Sequence, residues 1–504
     1  MTETPLTFGT AGLRGPMRDG PGGMNVDTVT RATWAVAKVL KDRCLGGSTV
    51  VVGRDARHQS DDFAMAAAEV LVAEGFSVVL LPDAAPTPVV AFAVRHMRAA
   101  AGVQITASHN PPRDNGYKVY FDGGLQIVPP TVRDIESAMA AAPATIDRAP
   151  VSPSSTEIVE QYIARAASVR RTTEDVRVAL TPMHGVGGEV AVQVLREAGI
   201  TDVHVVEEQF APDPDFPTVD FPNPEEPGAT DLLLSLAAYS DADVAIALDP
   251  DADRCAMGVP TVEGWRMLTG DETGWLLGDY ILTQLDSDVA DSTVVASTIV
   301  SSRMLAAIAA SHGAEHVETL TGFKWLARAD VGRPGATLVY AYEEAIGHCV
   351  DPSAVRDKDG ISAAVLVCDL VAALRREGRT VSDALDDLAR RYGLHMTTAV
   401  SVETDADAVM SALRADPPTR VADEDVAVVD LLDRLGEERT DALIYTGETI
   451  RLAVRPSGTE PKVKAYLEIR LPVQEDVESV REFAEGRLED AKAAAVDLLQ
   501  RGPN

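Results

Sequence analysis

The sequence predicts an α/β protein with three related α/β domains, whose sheets are mixed and largely parallel, followed by a smaller C-terminal α+β domain. Three observations support this prediction. With 504 residues, of which 46% are hydrophobic, the chain is too long for one core. A unit of strand, loop, helix, glycine and strand occurs three times along the chain. After residue 393 the pattern changes to strands interleaved with helices.

The three copies of the unit follow one order. Strands are predicted at 48–52, 77–81, 176–180, 203–206, 293–297 and from residue 316, and helices at 61–74, 189–197 and 302–310. These strands are continuously apolar, which is typical of a parallel sheet covered by helices on both faces. In the last domain, strands are predicted at 398–402, 450–454 and 462–470, and helices at 405–414 and 477–499.

Shifts in composition give the domain boundaries. We expect domains at 1–150, 151–260, 261–393 and 394–504, the first boundary lying in a segment rich in Ala, Pro and Ser. Ligands of doubly wound sheets bind beyond the carboxyl ends of the strands. Loops that follow strands in all four domains are therefore expected to line one cleft.

The charge of the chain limits its partners. A formal net charge of −33 opposes nucleic acids and anionic membranes, since both require a basic surface. A small anionic substrate requires positive charge concentrated where it binds. Lysine is scarce enough for its positions to be informative; the lysines are Lys38, Lys41, Lys118, Lys324, Lys358, Lys462, Lys464 and Lys492.

Location and thiol state follow from the same composition. Residues 1–10 have no basic segment followed by an apolar one, and no long uncharged apolar run occurs later, so we expect a soluble, cytoplasmic protein. The four cysteines are scattered without metal-ligand spacing, which favours reduced thiols over disulfides or zinc. A monomer or homodimer is expected.

The segment Thr-Ala-Ser-His-Asn-Pro at 106–111 is the first candidate site. A strand leads into a turn here, which could display the hydroxyl of Ser108 next to His109. The alternative is that Ser108 and Asn110 only form turn hydrogen bonds before the prolines. The hexapeptide alone leaves both interpretations open.

An acidic segment follows the predicted buried strand at 243–248. Asp249, Asp251 and Asp253 place three carboxylates at alternate positions, where their repulsion favours a divalent cation. Oxygen ligands with one position open or filled by phosphate suit Mg²⁺. A calcium loop of the EF-hand type is not supported, because Arg254 stands where that loop needs glycine and a strand precedes it. An acidic surface turn is hard to reconcile with the apolar strand directly before it.

Residues 455–462, Arg-Pro-Ser-Gly-Thr-Glu-Pro-Lys, combine two cations, two hydroxyls and a glycine after a predicted strand. These groups suit the binding of a phosphate, and without a Walker pattern no nucleotide is implied. A plain turn explains the glycine but not Arg455 and Lys462.

Three further segments are ambiguous alone. Lys324 lies between aromatic residues in Thr-Gly-Phe-Lys-Trp at 321–325, and Glu343 and Glu344 follow another predicted strand, where they could accept hydrogen bonds from sugar hydroxyls. Arg14, in Gly-Thr-Ala-Gly-Leu-Arg-Gly at 9–15, suits either a flexible turn or contact with an oxyanion.

In chain order, these segments resemble the α-D-phosphohexomutase family, the phosphoglucomutases and phosphomannomutases, over essentially the whole chain. The resemblance also includes Asn-Gly-Tyr-Lys at 115–118, Phe-Pro-Thr at 216–218 and Pro-Asn-Pro-Glu-Glu-Pro-Gly at 222–228. It implies a heart-shaped, four-domain enzyme of the isomerase class. The implied reaction moves a phosphoryl group between O1 and O6 of glucose or mannose phosphate through a phosphoserine and a sugar bisphosphate.

The resemblance also implies residue roles. Ser108 would carry the phosphoryl group and bind Mg²⁺ together with Asp249, Asp251 and Asp253. A sugar bisphosphate such as glucose 1,6-bisphosphate would be the activator. The other implied catalytic residues are His109, Arg14, Lys118 and Lys324; the implied substrate-binding residues are Arg254, Glu343, Glu344, Arg455, Ser457, Gly458, Thr459 and Lys462.

One departure affects the substrate. Many members of the family have a serine after the paired carboxylates, whereas this chain has Ala345 and Ile346. Glu-Glu-Ala-Ile-Gly is similar to the branch that contains glucose-type phosphoglucomutases, phosphopentomutases and glucose-1,6-bisphosphate synthases. The alternatives are a phosphopentomutase, a phosphoserine-dependent sugar phosphatase and a silent binding protein. A silent binding protein would not need a nucleophile beside a metal.

Overall fold

The computed structural model describes residues 5–9, 12–121, 123–285, 292–436, 439–457, 462–474 and 476–500. The strands are β1 (Leu13–Pro16), β2 (Thr49–Arg54), β3 (Ser77–Leu80), β4 (Ala101–Ile105), β5 (Asp114–Phe121), β6 (Leu125–Gln126), β7 (Val178–Thr181), β8 (Val203–Val205), β9 (Val244–Leu248), β10 (Cys255–Thr261), β11 (Gly264–Met267), β12 (Thr293–Thr298), β13 (Glu315–Thr319), β14 (Thr337–Glu343), β15 (Gly347–Cys349), β16 (Leu394–Glu403), β17 (Arg420–Val421), β18 (Glu424–Asp425), β19 (Ala427–Asp430), β20 (Leu443–Thr446), β21 (Ile450–Pro456) and β22 (Lys462–Leu471).

The helices are α1 (Val26–Asp42), α2 (Ser60–Ala73), α3 (Thr87–His96), α4 (Thr131–Ala140), α5 (Glu157–Ala167), α6 (Gly187–Glu197), α7 (Glu207–Phe210), α8 (Asp231–Ser240), α9 (Gly270–Thr283), α10 (Met304–Ser311), α11 (Phe323–Leu326), α12 (Gly360–Arg376), α13 (Val381–Tyr392), α14 (Ala406–Ala415) and α15 (Val477–Leu499). The predicted elements of the three repeated units differ from these bounds by at most two residues at either end. Among the described residues, a helix both long and apolar enough to cross a membrane is not found.

The chain divides into two compact units. Unit 1 comprises Met1–Thr273, Gly322–Gly332 and Leu338–Gly378. Unit 2 comprises Gly274–Thr321, Arg333–Thr337 and Arg379–Asn504.

The first sheet of unit 1 has the order β1-β5-β4-β2-β3, and β6 pairs with β5. Its pairs β2·β3 and β2·β4 are parallel, and β4·β5 and β1·β5 are antiparallel. The parallel half matches the expectation from the continuously apolar strands. A buried core built on residues such as Val50, Val103 and Phe63 fills this domain. Burial of these apolar side chains stabilises the strands and helices that position the loop after β4.

The second sheet of unit 1 repeats this plan with the order β11-β10-β9-β7-β8. The pairs β7·β8 and β7·β9 are parallel, whereas β9·β10 and β10·β11 are antiparallel. All residues of β9 are buried. In both sheets, the loop between the last parallel strand and its antiparallel neighbour carries candidate site residues: 106–113 between β4 and β5, and 249–254 between β9 and β10.

Unit 1 also contains β15, α11, α12 and most of β14. The strands β14 and β15 pair antiparallel, with Glu343 opposite Gly347. The side chain of Asp359 caps α12 by accepting hydrogen bonds from the amides of Ile361 and Ser362. A side chain at Gly360 would clash, since an added Cβ would lie 2.3 Å from the carbonyl oxygen of Arg254. The glycine therefore allows α12 to begin against the acidic loop.

In unit 2, β12 and β13 form a parallel pair. A five-stranded antiparallel sheet has the order β16-β22-β21-β20-β19. The helices α14 and α15 accompany it, and residues such as Leu452, Leu467 and Ala491 form a buried core. The predicted change to an α+β domain is thus confirmed, although β16 begins at Leu394, earlier than expected.

Candidate active site

Ser108 lies in the loop after β4. Ile105 ends β4 and pairs with Arg54 of β2 on one side and Tyr117 of β5 on the other, so the loop leaves the middle of the sheet. Ser108 is 1% exposed and has a φ of 53°, a left-handed conformation that residues other than glycine rarely adopt. Its Oγ donates a hydrogen bond to Oδ2 of Asp249 at 2.8 Å. The serine is therefore more than a turn residue.

The three aspartates of the acidic segment converge. Asp249, Asp251 and Asp253 are completely buried, and one carboxylate oxygen from each lies within 4.8 Å of the others. The left-handed turn at Ala252, with a φ of 54°, sharpens the loop between them. Burial and then the charges of Asp251 and Asp253 raise the pKa of Asp249 well above its usual value.

The donor set fits a divalent cation. Oδ1 of Asp251 and Oδ1 of Asp253 are buried and have no hydrogen-bond partner among the described residues. Buried carboxylate oxygens are normally satisfied, because an unpaired one loses its hydration without compensation. Three oxygen ligands at this spacing could hold Mg²⁺ or a similar hard cation.

Lys118 and Thr87 occupy the other oxygens of the cluster. The Nζ of Lys118, on β5, lies 2.6 Å from Oδ2 of Asp251 and 2.7 Å from Oδ2 of Asp253. Thr87 donates its hydroxyl hydrogen to Oδ2 of Asp251 at 2.6 Å. Burial alone would lower the pKa of Lys118, but the two aspartates outweigh it and raise that pKa. The lysine is therefore charged at neutral pH.

Backbone contacts join the acidic loop, residues 249–254, to the glutamate segment, residues 343–347. Arg254 forms a β-bridge with Gly347, and the amide of Cys255 donates to the carbonyl of Ile346 at 3.0 Å. The guanidinium of Arg254 lies 3.7 Å from Oε2 of Glu225 and within 4.0 Å of carboxylate oxygens of Asp249 and Asp253. These contacts bring the predicted substrate residue Arg254 to the three aspartates of the acidic loop.

Glu343 is 9% exposed and ends β14, so it lies close to the bridge at Gly347. Burial raises the pKa of Glu343, although the positive charges of Lys358 and Arg254 act in the opposite direction. Glu344, the next residue, is partly exposed. The two neighbouring glutamates thus differ in their access to solvent.

Lys358 belongs to the site and was not predicted. Its Nζ lies 3.4 Å from Oδ2 of Asp253, 3.8 Å from Oε1 of Glu343 and 5.5 Å from the centre of the Phe323 ring. It connects the acidic loop with Glu343. The available signal was a scarce lysine in Arg-Asp-Lys-Asp-Gly at 356–360, just before a helix.

Arg14 contacts the serine loop, and His109 belongs to it. Arg14 pairs with Gly116 on the sheet edge, and its Nη1 donates to Oδ1 of Asn110 at 3.4 Å. Burial, followed by the positive charges of Arg254 and Arg14, lowers the pKa of His109 well below its usual value. His109 is therefore neutral at pH 7.

Lys324 lies on the short helix α11, one residue after Phe323. Burial and the charge of Arg328 lower its pKa. Its neighbour Phe323 contacts Lys358, which places α11 beside the glutamate segment.

The described part of the predicted phosphate-binding segment belongs to unit 2, at the end of β21 and the start of β22. The guanidinium of Arg455 lies 5.8 Å from the centre of the Tyr466 ring, and the amide of Ser457 donates to the carbonyl of Lys462 at 2.8 Å. Gly458 and Thr459 lie outside the described residues. That this segment binds the phosphate of a substrate stays a prediction.

Family models cover nearly the whole chain. Those for phosphoglucomutase/phosphomannomutase match in the order alpha/beta/alpha domain I at 5–145, domain II at 159–263, domain III at 269–392 and the C-terminal domain at 418–495. The chain belongs to this family. The expected resemblance, the four-domain fold class and the isomerase class are confirmed.

Individual proteins agree with this assignment. A probable phosphomannomutase of Haemophilus influenzae is 40% identical over 92% of this chain and 97% of its own length. The phosphopentomutase of Mus musculus is 35% identical over 93% of this chain and 84% of its own. The crystal structure of a putative phosphomannomutase from Thermus thermophilus matches this chain with a TM-score of 0.74. The match covers 97% of this chain and 100% of that one at 24% sequence identity, and it supports the fold.

Proposed function

We propose that this member of the family is a phosphosugar mutase that moves a phosphoryl group between O1 and O6 of a hexose phosphate, glucose or mannose. The observation that carries the proposal is the hydrogen bond of 2.8 Å between Oγ of Ser108 and Asp249, inside a buried cluster of three aspartates. A nucleophilic oxygen beside a cation site is what a phosphoserine intermediate requires.

The metal is proposed to be Mg²⁺, held by Asp249, Asp251, Asp253 and the phosphate on Ser108. When bound, it neutralises charge on the transferring phosphoryl group. In the first half-reaction the bond between Oγ of Ser108 and phosphorus breaks and a sugar oxygen bonds to the phosphorus. The sugar hydroxyl loses its proton in this step, and we assign the uptake of that proton to His109, the neighbour of Ser108 in the chain. In the second half-reaction Oγ of Ser108 bonds to the phosphorus of the phosphate that the substrate brought, the bond between that phosphorus and its sugar oxygen breaks, and this oxygen takes up the proton.

The cationic side chains act by electrostatics. Phosphoryl transfer spreads negative charge over the equatorial oxygens, so positioning and neutralisation account for most of the catalysis. Lys118 remains charged between Asp251 and Asp253, and we assign Arg14 and Lys324 to the transferring group. These roles rest on residue type and on the geometry within unit 1.

We assign the sugar hydroxyls to Glu343 and Glu344, with Arg254 as a further substrate contact. The non-transferring phosphate would be bound by Arg455, Ser457, Gly458, Thr459 and Lys462. A sugar bisphosphate such as glucose 1,6-bisphosphate would phosphorylate Ser108 and so activate the enzyme. The expected cytoplasmic location and the oligomeric state, monomer or homodimer, stay predictions.

The test is Ser108→Ala, with Ser168→Ala as the matched control. Ser168 is an exposed serine whose hydroxyl only donates to the nearby carbonyl of Arg165. The first variant should lose nearly all mutase activity and all phosphorylation by glucose 1,6-bisphosphate, and the control should keep both. Full turnover by Ser108→Ala would end the proposal.

The second candidate is a phosphopentomutase acting between O1 and O5 of ribose or deoxyribose. It is favoured by Ala345 and Ile346 after the glutamates and by the similarity to the mouse phosphopentomutase. Turnover of glucose 1-phosphate, mannose 1-phosphate and ribose 1-phosphate, each with a trace of glucose 1,6-bisphosphate, separates the two. Release of inorganic phosphate without isomerised sugar would instead indicate a phosphatase.

A further inference from the structure

Arg57, in the turn between β2 and α2, is 4% exposed and donates four hydrogen bonds to the loop that carries Ser108. Its Nη2 donates to the carbonyl oxygens of Ser108 and Asn110, both at 2.6 Å. Its Nη1 donates to those of Pro111 and Asp114, at 2.9 and 3.1 Å. Both terminal nitrogens are thus used on one loop.

Two buried neighbours hold the guanidinium in place. Oδ2 of Asp55 lies 3.4 Å from Nε of Arg57, while Oδ1 of Asp55 accepts hydrogen bonds from the amide of Arg57 and the hydroxyl of Ser60. On the other side, the ring of Phe216 lies 5.0 Å from the guanidinium carbon. Asp55 and Phe216 are 1% and 2% exposed. The cation is therefore paired and covered.

The serine loop needs support of this kind. Ser108 has a left-handed backbone, which a residue with a side chain keeps only where its surroundings enforce it. Pro111 and Pro112 have no amide hydrogen, so this part of the loop has fewer backbone donors with which to hold itself. The four bonds from Arg57 hold carbonyls on both sides of the two prolines.

We propose that Arg57 is a positioning residue for phosphoryl transfer, which keeps Oγ of Ser108 beside the aspartate cluster by holding these four carbonyls. This inference rests on the proposed mutase function. Arg57 acts through the backbone of the loop, because the four hydrogen bonds of its terminal nitrogens all go to carbonyl oxygens. Lysine cannot replace it, because a single ammonium cannot reproduce two planar nitrogens that each reach two carbonyls.

The test compares Arg57→Gln and Arg57→Lys with the control Arg54→Lys. Arg54 ends the same strand, but its Nε pairs with the exposed Asp61 at 2.6 Å. Both Arg57 variants should lose about 100-fold in kcat, the order of loss expected from a displacement of about 1 Å, while KM stays near the wild-type value. The control should keep both constants.

Chemical rescue and hydrogen exchange separate positioning from general stability. Guanidinium below denaturing concentrations should restore part of kcat in Arg57→Gly, and methylammonium should not. Amides at 106–116 should exchange faster in the Arg57 variants than in the control. Variants of reduced stability whose folded fraction keeps the wild-type kcat would overturn the inference, as would unchanged exchange in this loop.

The outcomes for the two proposals differ. If the wild-type protein interconverts no sugar phosphate, the proposed function fails, while exchange at 106–116 still decides whether Arg57 holds the loop. If the wild type is active and Arg57→Gln turns over equally fast, the proposed function stands and the positioning role is refuted.

Discussion

Replacing Lys118 with methionine should destabilise the protein strongly when no divalent cation is present. Lys118 is 1% exposed, and its ammonium lies 2.6 Å from Asp251 and 2.7 Å from Asp253. Methionine fills similar space without charge, so two buried carboxylates lose their shared partner. Removing one member of a buried ion pair costs about 3–5 kcal/mol. We expect a loss of that size in the unfolding free energy.

Added Mg²⁺ should reduce this loss. A ligand present at about 100 times its Kd stabilises the folded state that binds it by about 2.7 kcal/mol. The variant lacks the ammonium that repels a cation, so it should bind Mg²⁺ more tightly than the wild type does. The difference in stability between the two proteins should therefore narrow in Mg²⁺ and widen in chelator.

Calorimetry with chelator and with excess Mg²⁺ measures both effects, with Lys41→Met as the control. Lys41 forms an exposed pair with Glu74, and such pairs contribute at most about 1 kcal/mol. Because the pKa of Lys118 is raised, its contribution should be complete at neutral pH and be lost only as pH rises through the raised value. Equally small losses of unfolding free energy in both variants would refute the reasoning. A stability difference between Lys118→Met and the wild type that Mg²⁺ leaves unchanged would also refute it.

Three further predictions concern metal, substrate and pH. Chelation should abolish mutase activity and lower the thermal midpoint, and Mg²⁺ should restore both; full activity in chelator contradicts a metal role. Lys358→Met should lower kcat/KM by about 100-fold, the order found when one buried donor that stabilises charge is lost. The control is Lys492→Met; because Lys492 forms only an exposed ion pair, this variant should keep the wild-type kcat/KM. Burial lowers the pKa of His316 to about 4, so stability should fall as pH drops from about 6.5 to 4, by up to roughly 3 kcal/mol. His316→Gln should weaken this dependence in urea titrations, and an identical slope would rule the histidine out.

The parts of the fold that depend on local pattern could be predicted. The apolar strands β2, β9 and β12 and the helices between them follow from their hydrophobic runs and glycine stops. The antiparallel strand β5 could not be predicted in the same way. Asp114, Asn115 and Gly116 at its start disfavour strands, and their pairing with Pro16, Gly15 and Arg14 of β1 overrides that preference.

The candidate site divides along the same line. Ser108 and the aspartates stand out because their chemistry is concentrated in short segments. Thr87 is 164 residues from Asp251 in the chain, and its hydroxyl reaches the carboxylate only because the start of α3 packs against the acidic loop. The contacts of Lys358 and Arg57 are likewise with residues far away in the chain that only the folded structure brings close. No spacing in the sequence therefore indicates their partners.

Charge balance connects Ser108 to the proposed metal ion. The carboxylates of the three aspartates, Glu225 and Glu343 contact the cations Lys118, Lys358 and Arg254. With all five carboxylates ionised, five negative and three positive charges leave a net charge of −2, and the raised pKa values of Asp249 and Glu343 oppose that ionisation. One divalent cation neutralises that excess. A phosphate on Ser108 adds between about −1.5 and −2 at pH 7 and removes the hydroxyl hydrogen that now bonds to Asp249. The phosphoserine is therefore costly beside these carboxylates unless a cation lies between them. Since such coupling is reciprocal, phosphorylation must also strengthen cation binding.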